Sequence, residues 1–378
     1  MHAPVYLDCN ATTPLEPRVR EAMMPFWDEE FGNAGSRTHD FGNRAKIAVQ
    51  RARDQVASVV GAQRDEIVFT SGATESNNLT ILGLRELAIR EGKRHVITSA
   101  IEHKAVLEPC QELERSGITV TYLKPDKSGI VRAEAVQEAL RSDTMLVSLM
   151  HVNNETGAIQ PISDYCRVLE KHGAFFHVDA AQSFGKLTEE LRSPLIHLIS
   201  ISAHKICGPK GIGALVSRRR GLGRVPLQPL FFGGGQERGL RPGTLPVPLI
   251  VGFGLAAELA AKENKRRLAY YKNVRNAALT ALIKVGGTPT LSDESSIAST
   301  LSISFPGIDS EGLMVAAKEL VAISNGAACT SQNYKESHVL AAMGLPPEVI
   351  HSTVRISWCH LTPDVNWDTL ANVIRQLR

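Results

Sequence analysis

The sequence predicts an α/β protein, with a large domain on a mostly parallel sheet flanked by helices and a smaller α+β domain after it. Three observations carry this prediction. Strand-like and helix-like segments alternate up to about residue 250. Several strand-like runs are apolar throughout rather than alternating, as strands buried on both faces are. After about residue 250 the alternation gives way to a long stretch rich in Ala, Glu, Lys and Arg.

The elements follow in order. A helical pattern at 43–61 stops at Gly61. Residues 66–70 read as a strand, 71–74 as a turn and 75–91 as a helix. Strands recur at 95–99, 119–123, 145–150, 174–178, 198–201 and 213–216, with helical patterns such as 133–141 and 165–172 between them. Beyond these, 249–285 reads as one long helix, 299–304 as a strand, 310–319 as a helix and 325–331 as a run of small residues. A last helix follows Asn366. The expected division is an N-terminal arm 1–15 that joins the small domain, a large domain 16–255 and a small domain 256–378.

Composition narrows the function. Of 378 residues, 43% are hydrophobic and 21% charged, which excludes a disordered chain and allows a sizeable core. The net charge of +3, from 42 Lys and Arg against 39 Asp and Glu, is too balanced to argue for a nucleic-acid or membrane surface. Arg218-Arg219-Arg220 reads as a solvated turn. No apolar run reaches the roughly 18 residues of a membrane span. Met1-His2-Ala3-Pro4 does not open a signal peptide. The six cysteines, Cys9, Cys110, Cys166, Cys207, Cys329 and Cys359, form no C-x-x-C pair, so no metal site is expected. Few cysteines in a long chain without a signal predict a reduced, cytoplasmic protein.

The chemistry-bearing residues fall at strand ends. Lys205 closes an apolar strand just before Gly208-Pro209-Lys210-Gly211. Partial desolvation there lowers the pKa of an amine and frees it for a Schiff base. Ser202 and His204 beside it suit a phosphate, and the plain alternative for Lys205 is a surface residue. Asp179 and Gln182 end another apolar strand, 26 residues earlier in the case of Asp179. An Asp there suits a protonated pyridine nitrogen, or alternatively caps the next turn. The segment from Thr70 to Asn77, with Ala73 and Thr74, lies between strand and helix, where backbone N–H groups bind phosphate or form a capping box. His103 follows a strand and suits ring stacking and proton transfer. Asn154, in His151 to Gly157, is placed to orient a ligand. Cys329 sits among small residues, as an exposed thiol on a mobile loop would. Cys207 is the rival thiol, with Lys205 close enough to lower its pKa. Gly252 to Ala257 matches G-x-G-x-x-A, but Pro246 and Pro248 interrupt the preceding run and no β-α-β unit follows, which argues against a dinucleotide site.

Taken together, these segments resemble the class V aminotransferase-like, PLP-dependent cysteine desulfurases (NifS/IscS-like). The resemblance runs from Tyr6-Leu7-Asp8 and Ala11 to Pro14 through to Val354-Arg355-Ile356-Ser357. It also covers Gly233 to Arg238 and Arg241 to Thr244. It implies the PLP-dependent transferase fold type I and the cofactor pyridoxal 5'-phosphate. Lys205 would hold the cofactor and shuttle protons, with His103 stacked on the ring. Asp179 would pair the ring nitrogen and Gln182 the ring oxygen. Ala73, Thr74, Ser202 and His204 would bind the phosphate. Thr244 would reach the phosphate of a partner subunit, which implies a homodimer. Asn154, which also borders the cofactor, and Arg355 would hold the substrate carboxylate. Cys329 matches the family's catalytic cysteine and would take sulfur from L-cysteine as a persulfide, leaving L-alanine.

The implied partner is a sulfur-acceptor protein, with no direct contact to nucleic acid or membrane. The stretches from Arg224 to Ile250 and from Ser99 to Pro109 are similar to desulfurases dedicated to DNA phosphorothioation, so a DNA-modification enzyme is one expected acceptor. An iron–sulfur scaffold or a tRNA-thiolation protein is the other, and a selenocysteine lyase of the same fold is the neighbouring activity. Asn325 and Ala327 depart from the family's usual Ser-Gly-Ser-Ala-Cys residues, and Ala203 from a common Gly. The chain stops soon after its last helix, where iron–sulfur desulfurases carry a longer tail, which weighs against that acceptor.

Overall fold

The computed structural model of the chain describes residues 3–220, 223–326 and 336–378. A seven-stranded sheet forms its centre. In spatial order the strands are Ile67–Thr70, Gly213–Ser217, Leu198–Ser202, Phe175–Asp179, Thr144–Met150, His95–Ser99 and Thr119–Leu123. Gly213–Ser217 runs against both its neighbours, and every other pairing is parallel. The sheet is therefore mostly parallel, as the apolar runs predicted.

Those runs are apolar because helices cover both faces. Ile97, Val147, Phe176, Val178 and Ile199 face one core, with helices Asp40–Val59 and Val247–Lys262. Val68, Val96, Leu146, Leu198 and Leu215 face the other, with Ala73–Gly83, Arg85–Glu91 and Lys104–Arg115. Successive residues alternate between the two cores, which is the strand period of two.

The G-x-G-x-x-A motif belongs to this packing. A Cβ on Gly254 would lie 2.5 Å from Ala52 Cα, and one on Gly252 2.5 Å from Met23 Sδ. Gly254 lets helix Val247–Lys262 press against Asp40–Val59, and Gly252 lets it press against Met23 of helix Pro17–Met23. They bind no nucleotide phosphate, because they sit inside a helix and against side chains.

A second core surrounds an antiparallel sheet of Thr288–Pro289, Thr300–Ser304 and Thr353–Ser357. Leu301, Ile303, Val354 and Ile356 pack there with Tyr271, Ala278 and Leu282 of helix Asn264–Ile283 and with Leu370 and Ile374 of helix Trp367–Gln376. The N-terminal arm reaches across to it. Val5–Tyr6 pairs with Val321–Ala322, Leu7 enters this second core, and Asp8 bridges Ser357. The stretch read as one helix from 249 to 285 is two, broken at Glu263. The boundary expected after residue 255 falls inside the first of them. The helix read at 75–91 is likewise two. No helix among the described residues is long and apolar enough to cross a membrane.

Candidate active site

The parallel strands end on a cavity of about 240 Å³. Crevices at the carboxyl ends of such strands are where α/β sheets place ligands. Strand Phe175–Asp179 delivers Asp179. Strand Leu198–Ser202 delivers Ser202 and, one short turn later, His204 and Lys205. Helix Ala73–Gly83 points its first turn at the same space, and helix Lys104–Arg115 begins there with His103 as its N-cap. Ala73, Thr74, His103, Asn154, Asp179, Gln182, Ser202, His204, Lys205 and Arg355 all line this one cavity. Thr244 does not; it is exposed and stands apart. Cys329 lies outside the described residues.

The Lys205 ammonium donates to the backbone carbonyl oxygens of Asn10 and, at 2.9 Å, of Ala11. Gln182 Nε2 donates to the same Asn10 oxygen at 3.0 Å. The N-terminal arm thus closes one side of the pocket. Asp179 accepts from Asn77 Nδ2 at 2.7 Å and from the Ala181 N–H at 2.9 Å. The second bond is the turn cap that the sequence allowed. The first fixes the carboxylate in the pocket from a different helix.

His103 Nδ1 accepts from the Ala105 N–H at 3.1 Å, so the proton of the neutral ring rests on Nε2. Burial lowers its pKa first; the nearby Asp179 works against this and the Lys205 ammonium reinforces it. The ring is a neutral imidazole at physiological pH. His204 is pushed down to about 4, chiefly by burial and then by Lys205 and Lys210. Its Nδ1 lies 3.1 Å from Thr12 Oγ1.

Ser202 Oγ accepts from the Ala73 N–H at 2.8 Å, which leaves its own proton free to donate. Thr12, Ser71, Gly72, Thr74, Lys210 and Gly211 continue this wall outward, at the positive end of an eleven-residue helix. The wall is tightly built. A Cβ on Gly213 would lie 2.3 Å from the Ile201 oxygen and 2.6 Å from Gly72 Cα.

Opposite, Arg355 is 3% exposed. It donates to the Asn154 carbonyl at 2.9 Å and pairs with Asp8 Oδ1 at 2.6 Å, while its Nε has no partner among the described residues. Its backbone pairs with Ser324.

The residues present fit PLP. Gln182 Oε1 and Asn77 Oδ1 are buried in the pocket without a hydrogen-bond partner among the described residues. Buried polar atoms are rarely left so, and a ligand ring with polar substituents would satisfy them. A carboxylate, a lysine amine and a helix N-terminus meet around them.

Several participants carried no role in the sequence reading. Asn10 and Ala11 act through backbone oxygens, which carry no side-chain signal. Asp8 meets Arg355 from 347 positions away. Asn77 was within reach, because it lies four residues, about one helical turn, after Ala73. Glu237 of the 233–238 motif does not line the pocket. It accepts twice from Arg53, at 2.7 and 2.6 Å, and clamps its loop to strand Ile67–Thr70. Cys207 reverses an expectation. The interaction with Cys359, and then burial, raise its pKa rather than lower it.

The sheet and its strand-end pocket define a PLP-dependent enzyme of fold type I. The chain belongs to the aminotransferase class-V family, whose model matches residues 5–369. It is similar to the cysteine desulfurase IscS of Salmonella arizonae, 45% identical over 100% of this chain and 93% of that protein. Among solved structures it is similar to a NifS-like protein, with TM-score 0.91 and 38% identity over 99% of this chain and 98% of that one. It is also similar to DndA from Streptomyces lividans, with TM-score 0.82 and 46% identity over 95% and 99%.

Proposed function

We propose that this chain is a PLP-dependent cysteine desulfurase that converts L-cysteine to L-alanine and leaves the sulfur as a persulfide on Cys329. The observation that carries this reading is the convergence of Lys205, His103, Asp179 and Arg355 on one cavity. PLP, when bound, supplies an electron sink for the bonds at the substrate's α-carbon. Asp179, held by Asn77, pairs the ring nitrogen, Gln182 the ring oxygen, and Ala73, Thr74, Ser202 and His204 the phosphate.

The chain's own residues do the rest. Arg355 and Asn154 hold the substrate carboxylate, with the Arg355 fork turning from Asp8 to the ligand. His103 covers the ring and moves protons as a neutral imidazole. The Lys205 amine, released from the Asn10 and Ala11 carbonyls, carries the proton that leaves the α-carbon. The Cys329 thiol attacks the substrate sulfur, and the S–C bond breaks. One thiol and one L-cysteine become one persulfide and one L-alanine, so atoms balance.

The persulfide passes to an acceptor protein, either a DNA-phosphorothioation enzyme or an iron–sulfur or tRNA-thiolation protein. Similarity at 45% to an IscS protein and 46% to DndA supports both arms equally. Thr244, exposed and outside the pocket, suits contact with the cofactor phosphate of the second subunit in a homodimer. The free cysteines Cys9, Cys110, Cys166, Cys207 and Cys359 favour a reducing, cytoplasmic setting. The helix break supports a domain division at Glu263, with the arm before residue 16 joining the small domain.

Replacing the catalytic thiol tests this. Cys329→Ala is expected to stop alanine formation from L-cysteine. It should leave the turnover of L-cysteine sulfinate, whose sulfur departs without a thiol nucleophile. Unchanged alanine formation from L-cysteine in that variant overturns the persulfide step. A wild-type chain that takes up no PLP overturns the whole reading.

A further inference from the structure

Half of the chain's cysteines meet at one point that the proposed reaction does not use. Cys9, Cys207 and Cys359 form a buried cluster, 3%, 2% and 5% exposed, edged by Tyr6 and Leu361. Each arrives on a different segment: the N-terminal arm, the turn after Lys205, and the chain after strand Thr353–Ser357. Each segment also carries a pocket residue. Cys9 adjoins Asn10, Cys207 lies two residues after Lys205, and Cys359 four after Arg355.

The packing brings the three thiols together, and Cys359 is the one that interacts with both others. It interacts through its side chain with both Cys9 and Cys207, and each of those interacts more strongly with Cys359 than with the other. Thr362 Oγ1 donates to its sulfur at 3.9 Å. Its backbone N–H is held by Thr362 Oγ1 at 3.0 Å. Cys207 is clamped in turn. Its N–H donates to Thr13 Oγ1 at 3.0 Å, its carbonyl accepts from Glu16, and its backbone sits at φ 63°, unusual for a residue with a side chain. His360 Nδ1 lies 3.9 Å from the Cys207 sulfur. Lys186, Arg267 and Tyr271 interact electrostatically with these thiols and line a neighbouring cavity of about 500 Å³.

We infer that Cys9, Cys207 and Cys359 form a second reactive site, an oxidation-sensitive thiol cluster in which a hydroperoxide joins Cys359 to one of its two neighbours as a disulfide. In the first step the Cys359 sulfur takes the terminal hydroperoxide oxygen. This gives a sulfenic acid and releases the alcohol, or water from hydrogen peroxide. In the second, a neighbouring thiol attacks that sulfur and water leaves. Two thiols are oxidised, one hydroperoxide is reduced, and the third cysteine stays a thiol. The product ties the small domain either to the arm or to the Lys205 turn. The inference does not depend on the reaction proposed above.

The test uses the full-length PLP-loaded protein carrying Cys329→Ser, so that the thiol assigned to the reaction is silent. It is treated with hydrogen peroxide, alkylated after unfolding, digested, and mapped by mass spectrometry without reduction. The expected product is a Cys9–Cys359 or Cys207–Cys359 peptide pair that dithiothreitol releases, with the third thiol alkylated. The cross-linked protein should also unfold at a higher temperature, since a closed loop restricts the unfolded chain. Cys359→Ser should abolish every pair within the cluster, and Cys9→Ser should leave only Cys207–Cys359. If Cys359→Ser does not fold, the Cys9→Ser, Cys207→Ser double variant removes the same products. Full alkylation of all three after peroxide, or a Cys9–Cys207 pair, overturns the inference.

Discussion

The two walls of the pocket are assembled by different means. The wall built on the large sheet comes from short contiguous motifs, each at the end of a strand or the start of a helix. Ser202, His204 and Lys205 share one such turn, and Asp179 and Gln182 another. The wall facing it is a seam. Asp8, Asn10 and Ala11 from the arm meet Arg355 from the second core, and Lys205 bridges to backbone oxygens 195 and 194 positions away. The first wall is set by sheet topology, which places every parallel strand end at one edge. The second exists only once the arm has crossed to the second core and paired with Val321–Ala322. Chemistry on the first wall should therefore be local to each residue. Binding on the second should respond to anything that moves the seam.

Removing the amine at the centre of the first wall gives the largest effect. Lys205→Ala is expected to lower alanine formation from L-cysteine by roughly a thousandfold or more, because it deletes both the cofactor's attachment and a proton carrier. Rates of alanine release and the visible absorption of the bound cofactor check this. A variant within tenfold of wild type breaks the comparison, since the strand-end wall would then not be the reacting one.

The seam should behave differently. Arg355→Lys keeps the charge but loses the planar fork that contacts Asn154 and Asp8 together. The expected outcome is a KM for L-cysteine raised about 10- to 100-fold, the worth of one charge-assisted hydrogen bond, with the cofactor spectrum unchanged. A fall in kcat at constant KM would move Arg355 from substrate binding to the chemistry itself, and the contrast between the walls would shrink.

What could be read beforehand follows the same division. The seven strands, their mostly parallel character and nine residues of the pocket were legible, because periodicity and strand-end motifs are local signals, whereas Arg355 came only from the family resemblance. Asn10 and Ala11 were not, because a backbone carbonyl looks alike at every position. Asp8 and the three-thiol cluster were not, because their partners lie hundreds of residues away and no spacing records the contact. The glycine motif was rightly set aside. Gly252 and Gly254 imitate a phosphate-binding motif, yet they serve the close approach of their helix to two others. The break at Glu263 was hidden because helix formers continue on both sides of it.

The smallest expected effect concerns the support behind the strand-end wall. His177 lies on the Asp179 strand, fully buried, with Nδ1 2.8 Å from Ser148 Oγ and Nε2 2.9 Å from Ser200 Oγ on the flanking strands. Burial alone pushes its pKa down to about 3. In the unfolded chain the same imidazole titrates near ~6.5. As pH falls below that value the unfolded state takes up a proton that the native state refuses. The stability tied to His177 is therefore complete above ~6.5 and drains away toward the folded pKa, by about 1.4 kcal/mol per pH unit for one proton. His177→Gln can still bond both serines but does not titrate. Its unfolding free energy, measured in urea between about pH 6 and pH 4, should fall less steeply than that of the wild type by that one-proton slope. Identical slopes would mean that the buried ring already holds its proton, with both serines turned to accept. The sheet would then carry a positive charge on the strand that ends in Asp179, and the separation between a neutral supporting core and a charged pocket would be lost.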